Sequence, residues 1–445
     1  MFTSTHLLNR KRFLPLFLTQ LLNAFNDNLY KNAMVLFVVY QVYSSAADET
    51  MFSGIASALF ILPFFLLSAL AGQLADMRDK ARIIRIVKAA EIGIMSVGAV
   101  GLTLAWQGFA VGTLAIPLLL LALFAMGIHS TFIGPIKYSI LPQHLKKDEV
   151  LAGTGLVEAG TYVAIMGGTI LAGFIPVEIA AVGVICVAAL GFMVSQKIPT
   201  APPLGEIEKI DYNPFTASWK MIVDTMHNRE VFYAILAISF FWTIGAVLFI
   251  QFPPLAKNVL FASKEVASLF LVIFSVGVAI GSVAINALLK GRVSARYASK
   301  SVLGMGAMVA AFYFVCAAWG RRIESSDFMG IADFLSHPLA WLVVICLLAI
   351  AIFGGMFVVP LYAFLTTKVA PSHASRAVAA NNIVNAGAMV MGSVLALALS
   401  AAGIPLAEQL LLSAAMCMIS AWLGARLFGA EKAERLAQAI NAEAG

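Results

Sequence analysis

GPIKYSIL at Gly134–Leu141, followed by GLVEAG at Gly155–Gly160, has a second copy further along the chain: VPLYAFL at Val359–Leu365, followed by NIVNAG at Asn382–Gly387. Pro135 matches Pro360 at an offset of 225 residues, and Gly160 matches Gly387 at 227, so only a short loop changed length between the copies. Superposing them sets Lys137 opposite Tyr362 and Glu158 opposite Asn385. The chain therefore reads as duplicated, with charged groups in its first half where the second half has neutral polar ones.

The duplicated stretches sit in an apolar chain. Of 445 residues, 61% are hydrophobic and 12% charged, and the mean hydropathy is +0.92. Apolar runs of about 20 residues recur, each long enough to cross about 30 Å of hydrocarbon as a helix. A membrane β-barrel would show short alternating segments, and these are absent. Cys186, Cys316, Cys346 and Cys417 lie singly inside apolar runs and read as small buried residues, with no disulfide framework or metal spacing. Met1 to Arg12 is too polar for a signal peptide and lacks a cleavage site, so the first span, from about Phe13, is expected to remain in the mature protein.

The net charge of +6 does not point to nucleic acid, because the positive residues concentrate in particular short loops. Arg10, Lys11 and Arg12 precede the first span; Arg78, Lys80, Arg82 and Arg85 follow the second; Lys146 and Lys147 follow the fourth; Lys290, Arg292 and Arg296 follow the eighth. Intervening loops are poorer in positives, as at Asp48 and Glu49 or the turn near Gln107. This alternation places both termini and the even-numbered loops in the cytoplasm. The loop after the ninth span is the exception: Arg321 and Arg322 share it with Glu324, Asp327 and Asp333.

About twelve spans are expected, six in each half. The division is residues 1–196 for the first six-helix bundle, 197–229 for a cytoplasmic linker, 230–428 for the second bundle and 429–445 for a cytoplasmic tail. The linker carries PTAPPLG and the mixed charges Glu206, Glu208, Lys209, Asp211 and Lys220, and its Pro and Gly discourage a continuous helix. The tail, AEKAERLAQAI, has helical spacing and is expected to be a solvated surface helix without a partner. Internal repeats of this kind point to a transporter. GQLADMRDKARIIR, from Gly72, resembles the G-x-L-A-D-R-x-G-R-R signature of the major facilitator superfamily, with Met77 and Asp79 where Arg and Gly are usual. The resemblance implies an all-α major facilitator fold of twelve transmembrane helices in two pseudo-symmetric bundles. It also implies that Gly72, Asp76, Arg78 and Arg82 act in conformational gating, with Asp76 facing a helix N-terminus in the other half. The plain alternative is an ordinary positive-inside loop.

Ionisable residues inside spans are costly, about 2.5–3.5 kcal/mol each at a helix centre, and mark functional sites by default. Asn23, Asp27 and Lys31 recur every four residues along one face of the first span, flanked by Asn26 and Asn28. Two readings stay open: a self-neutralising Asp27–Lys31 pair, or a substrate site. His129 and Lys137 lie eight residues apart on the fourth span, with Gly127, Gly134 and Pro135 loosening the helix there. His129 reads first as a satisfied buried histidine, while Lys137 either faces a cavity or snorkels to the cytoplasmic surface. Glu158 has no charged neighbour within a turn, so its partner is substrate or another helix, with Lys137 and Lys31 the candidates. Gly153, Gly155, Ala159 and Gly160 around it permit close approach.

The second half offers Trp242, Tyr362, Asn381, Asn382 and Asn385, and many aromatics including Phe240, Phe241, Phe249, Phe252 and Phe357. Separated cationic and anionic groups in one half beside an apolar partner half suit an amphiphile: a lysine attracts phosphate and a carboxylate attracts ammonium.

At these same residues the chain resembles the lysophospholipid transporter LplT family of the major facilitator superfamily. The matching segments are NAFNDN (Asn23–Asn28), PIKYSIL with the later GLVEAGT, SFFW (Ser239–Trp242) and GGMFVVPLYAFL (Gly354–Leu365). ANNIVNAG looks most like the transporter domain of fusions that carry an acyltransferase and an acyl-carrier-protein synthetase, which here would be separate proteins. The resemblance implies inward flipping of lysophospholipids, mainly lysophosphatidylethanolamine, across the bacterial inner membrane for re-acylation, by a monomer surrounded by membrane lipids. By match of motif, Asp27, Asn28, Lys137 and Glu158 would serve the headgroup or the coupling ion, sodium or proton. Phe249 stands where the family has an arginine, and Asn385 where it has a glutamate.

Two other readings compete. One is a proton-coupled facilitator for small solutes or drugs, using Asp27 or Glu158 as the proton site. The other is a membrane scaffold for a lipid-acylating enzyme, in which the buried charges would be dispensable. No P-loop, H-x-x-x-x-D motif or metal cluster is present in the sequence, so neither an enzyme nor direct drive by ATP is expected.

Overall fold

The computed structural model describes residues 6–42, 46–205, 209–320 and 328–443. Arg321, Arg322, Glu324, Asp327, Glu206 and Glu208 lie outside the described residues, as do the side chains of Asp48, Glu49, Phe249 and residues 437–443.

Among the described residues, twelve long helices follow one another: α1 (Leu14–Phe37), α2 (Ala46–Met77), α3 (Lys80–Trp106), α4 (Ile116–Ser139), α5 (Val150–Phe174), α6 (Val177–Ser195), α7 (Arg229–Asn258), α8 (Lys264–Leu289), α9 (Ala298–Gly320), α10 (Pro338–Thr367), α11 (Ala374–Ala401) and α12 (Leu406–Glu443). Local signals fix several starts. The Asp79 side chain accepts the Arg82 backbone N–H and caps α3, and Asn228 does the same for α7 through the N–H groups of Glu230 and Val231. Prolines open α1, α4 and α10, where the missing N–H leaves no bond unmade. The linker holds a further helix, Pro214–Met226, beyond its Pro- and Gly-containing stretch.

Among the described residues, ten stretches are long and apolar enough to cross a membrane, and they fall on every long helix except α1 and α3. Those two carry the buried charged residues Asp27, Lys88 and Glu91. Large apolar side chains point outward along the spans: Val182 on α6 is 64% exposed and Met391 on α11 is 70% exposed. Such a surface is unfavourable in water and suits lipid. Cys186 belongs to it: the thiol is exposed on the outer face of α6, and only Cys316, Cys346 and Cys417 are buried as expected.

Contacts divide the chain into two compact units. The first comprises Met1–Gly153, Gly160–Val223 and Val369–Ile383; the second comprises Thr154–Ala159, Asp224–Lys368 and Val384–Gly445. In the first, the most heavily packed pairs are α2 with α4, α3 with α6, α3 with α4 and α1 with α6. In the second they are α8 with α10, α9 with α12, α9 with α10 and α7 with α12. Adding six to each helix number of the first set yields the second, so the duplication read from the motifs extends to the packing.

Small residues set the closest crossings. A Cβ on Gly127 would come 2.6 Å from the Phe60 carbonyl, where α4 meets α2. A Cβ on Gly355 would come 2.5 Å from the Val278 carbonyl, where α10 meets α8. Backbones that approach this closely gain packing contacts that lipid alone does not drive. The tail is not the lone solvated helix expected from its charges. It continues α12 without a break, and Glu431 is fully buried, accepting the Ala295 N–H at 2.9 Å and the Ser294 hydroxyl at 3.1 Å. Lys368 at the end of α10 joins the tail residue Glu434 to Glu230. Mixed charge along the tail thus marks specific partners as well as solvent.

Candidate functional site

The first unit holds a cavity of about 250 Å³. Its polar wall comes mainly from the α1 stripe, Asn23, Asp27, Asn28 and Lys31, with Ser130 and Lys137 from α4 and Thr161 from α5; Phe60, Phe64, Ile133 and Ile165 line the rest. The four-residue spacing read from the sequence turns Asn23, Asp27 and Lys31 to one side, and the flanking Asn28 joins them there. The volume lies just under the range usual for small-molecule pockets, about 300–1,000 Å³. It suits a polar headgroup and is too small for an amphiphile with its chain.

Asp27 and Lys31 do not form an ion pair among the described residues. Asp27 Oδ2 instead accepts from Asn23 Nδ2 at 3.2 Å and from Ser130 Oγ at 2.7 Å. Its other oxygen, Oδ1, is buried and has no hydrogen-bond partner among the described residues. The Lys31 ammonium lies 5.7 Å from the centre of the Phe60 ring, a cation–π contact at the cavity's edge. Lys137 stands 4.9 Å from the Tyr138 ring centre, and its backbone carbonyl accepts from Gln20 at 3.2 Å.

Behind this wall lies a cluster that sequence reasoning missed. Lys88 and Glu91, one turn apart on α3, form an ion pair and are both fully buried. Asn26 Nδ2 donates to Glu91 Oε1 at 2.8 Å, and His129 Nε2 stands 3.4 Å from Glu91 Oε2. Lys88 also reaches Asn23 Oδ1 at 3.5 Å, which links the ion pair to Asp27. Gly191 on α6 makes room for the lysine, since a Cβ there would sit 3.0 Å from its Nζ. The available signal was the pair of charges three residues apart within the third apolar run. Among the described residues no group of His, Cys, Asp and Glu could hold a metal ion.

Other expected residues fall elsewhere. Glu158 is buried at 1% exposure, on the α5 segment that groups with the second unit. There Val359 and Ser282 lie against Gly155. In the second unit, Trp242 Nε1 donates to Tyr362 Oη at 2.8 Å, and Ser239 Oγ donates to Asn385 Oδ1 at 2.6 Å. Phe241 meets Trp242 edge-on and Phe357 at a tilt. Asn381 groups with the first unit and is fully buried; neither side-chain polar atom finds a partner among the described residues.

The signature loop has its own geometry. Asp76 accepts the backbone N–H groups of Ser375 and Arg376, both at 3.0 Å, in the first turn of α11. A negative charge there meets the positive end of the helix dipole. Gly72 permits this approach, because a Cβ would come 2.6 Å from that of Ala379. Lys80 and Arg376 stand 3.9 Å from the same carboxylate. The Arg78 side chain donates to the Met77 carbonyl at 3.2 Å, and Arg82 is exposed.

A duplicated set of membrane-crossing helices with ionised groups buried around an internal cavity defines a multi-pass membrane transporter. The chain belongs to the Major Facilitator Superfamily, whose profile matches residues 16–335. It is 27% identical over 381 residues to the lysophospholipid transporter LplT of Cronobacter sakazakii, covering 84% of each chain. It is 26% identical over 403 residues to LplT of Klebsiella pneumoniae, covering 89% of this chain and 90% of that one. Among solved structures, a bacterial homologue of the iron transporter ferroportin in an outward-facing state superposes with a TM-score of 0.70 at 11% identity, covering 94% of this chain and 99% of that one. The proton:xylose symporter XylE gives 0.65 at 13% identity, covering 96% of each. These structures support the fold; family and relatives together make the chain a transporter and not an enzyme.

Proposed function

We propose that this transporter moves lysophospholipids, lysophosphatidylethanolamine among them, from the outer to the inner leaflet of a bacterial inner membrane by alternating access. One observation carries the reading: a headgroup-sized cavity is lined by two lysines, Lys31 and Lys137, and a carboxylate, Asp27. A zwitterionic headgroup has the complementary charges, with phosphate for the lysines and ammonium for Asp27. The named activity of the LplT relatives supports the same substrate class. Glu158 and Asn28 join the headgroup or coupling set in this reading, and Trp242, Tyr362, Asn381 and Asn385 serve the rest of the path. Gly72, Asp76, Arg78 and Arg82 gate it. Both termini lie in the cytoplasm, the protein works as a monomer, and a separate acyltransferase with acyl-carrier-protein synthetase activity consumes the delivered lipid.

The test is a headgroup panel. Lys137→Ala should weaken uptake of every phosphate-bearing lysolipid, while Asp27→Asn should weaken ethanolamine lysolipids more than glycerol ones. Equal behaviour of both folded variants across the panel would refute the headgroup assignment.

A further inference from the structure

The linker helix, Pro214–Met226, turns its largest apolar side chains away from the core. At about 100° per residue its side chains fall into three sectors. Phe215, Trp219 and Val223 share the first, with Ile222 and Met226 half-buried between them; Phe215 is 67% and Trp219 72% exposed. Thr216, Lys220 and Asp224 share the second and are exposed. Ala217, Ser218 and Met221 share the third and are buried. Tyr212, just before the helix, is exposed as well. A surface helix of a water-soluble fold does the reverse, turning its large apolar side chains to the core and its polar ones to water. A contiguous exposed apolar face marks an interaction surface.

The level of this helix is set at both ends. Ahead of it, the Asp211 N–H donates to Gln73 Oε1 at 2.9 Å, and Gln73 Nε2 donates to the Asp211 carbonyl at 3.4 Å. Gln73 lies four residues before the end of the apolar stretch Ala58–Met77 on α2, about 6 Å inside it along the helix axis. Beyond the helix, Met226 is followed by His227 and the cap residue Asn228, and the apolar stretch Arg229–Leu248 of α7 begins at once. The 13 residues of the linker helix span about 20 Å. A helix held at the hydrocarbon boundary at both ends lies along that boundary.

We propose that the linker helix is an interfacial helix: Phe215, Trp219 and Val223 enter the lipid leaflet that borders the α2–α3 loop, the cytoplasmic one in the reading above, while Thr216, Lys220 and Asp224 stay in water. The three sectors then meet protein, lipid and water, the three media present at the rim of a membrane protein. Trp and Tyr side chains concentrate at that depth, and the apolar face of such a helix sinks about 5–10 Å into the headgroup–acyl boundary. Lys220 and Asp224 cancel, so insertion follows apolar area and not attraction to anionic lipid. The linker is thereby tethered to the membrane plane, by Gln73 from the protein side and by its aromatic face from the lipid side.

The experiment uses the full chain in nanodiscs, with the exposed Cys186 replaced by Ala. A spin label is attached to Phe215→Cys, Trp219→Cys and Val223→Cys, one at a time, and to Thr216→Cys, Lys220→Cys and Asp224→Cys. Collisions with oxygen, which concentrates among acyl chains, are compared with collisions with a water-soluble nickel chelate. Oxygen should dominate in the first three variants and nickel in the second three, so the preference reverses between sequence neighbours. The pattern should be the same in phosphatidylcholine nanodiscs with and without phosphatidylglycerol. A readout without labels guards against misfolded variants: the fluorescence lost in Trp219→Phe should be quenched by acyl-brominated lipid and spared by iodide in the water. Nickel dominance in all six variants, or iodide quenching without bromolipid quenching, would overturn the proposal and leave a solvated helix. Few collisions with either reagent in the first three variants would overturn it in favour of a protein partner, a second copy included. A pattern seen only with phosphatidylglycerol would overturn it too, since charge and not apolar area would then hold the helix.

Discussion

Replacing Asp76 by Asn should loosen the start of α11. The first four N–H groups of any helix have no partner within it, and Asp76 takes two of them, from Ser375 and Arg376, at 3.0 Å each. Asn keeps one acceptor oxygen, and the amino group that replaces the other cannot accept. The variant therefore loses one charge-assisted bond outright, worth about 1.5–3 kcal/mol, and the charge behind the second. Opening of this turn should become about 10–150-fold more frequent. Hydrogen–deuterium exchange of a peptide covering residues 371–383 reads that factor directly. Wild type should protect the Ser375 and Arg376 amides, and Asp76→Asn should expose them while peptides from α9 stay unchanged. Exchange within about twofold of wild type at both amides would show that the carboxylate is not what holds this helix end.

Glu91→Ala strands a fully buried lysine and should cost about 3–5 kcal/mol, while the double variant Lys88→Met with Glu91→Leu should melt above either single variant in a thermal scan. Gly355→Val drives a side chain into the Val278 carbonyl and should lower Tm by the equivalent of at least about 1–3 kcal/mol; an unchanged Tm would mean that α8 and α10 can part freely. Glu149 pairs with Arg12 at 2.7 Å on the protein surface. Burial pushes its carboxyl up, but the Lys146 backbone N–H and the Arg12 guanidinium outweigh that and hold it below its ordinary 4.5. A depressed carboxyl stabilises the fold above its ordinary value and loses that contribution as pH falls through its folded value. Arg12→Ala should thus lower Tm at neutral pH, by the equivalent of no more than about 1 kcal/mol for so exposed a pair, and the difference should vanish once Glu149 is protonated.

The spans and the duplication were legible because length and hydropathy are local properties, and because Pro135, Pro360, Gly160 and Gly387 recur at a nearly constant offset. The α1 stripe was legible for the same reason: spacing along one helix fixes a face. Lys88 and Glu91 were not, because they follow Lys80, Arg82 and Arg85 and blend into what reads as a basic loop. The structure starts α3 at Lys80, which carries Lys88 and Glu91 two to three turns inside. Partners on other helices are a different matter. Asp27 was set against Lys31 as a sequence neighbour, yet it bonds Ser130, which lies 103 residues away. Only the packing of α1, α3 and α4 makes that choice. The tail shows the same limit, since nothing in its own charges names Ser294 and Ala295 as partners of Glu431.

The most direct test of the central claim uses proteoliposomes holding labelled lysophosphatidylethanolamine, with albumin outside to extract whatever remains in the outer leaflet. Wild-type protein should move the lipid into an albumin-protected pool, and Lys137→Ala should not. No protein-dependent protection by folded wild type, under sodium and proton gradients alike, would contradict a lysolipid flippase and favour a solute facilitator or a scaffold.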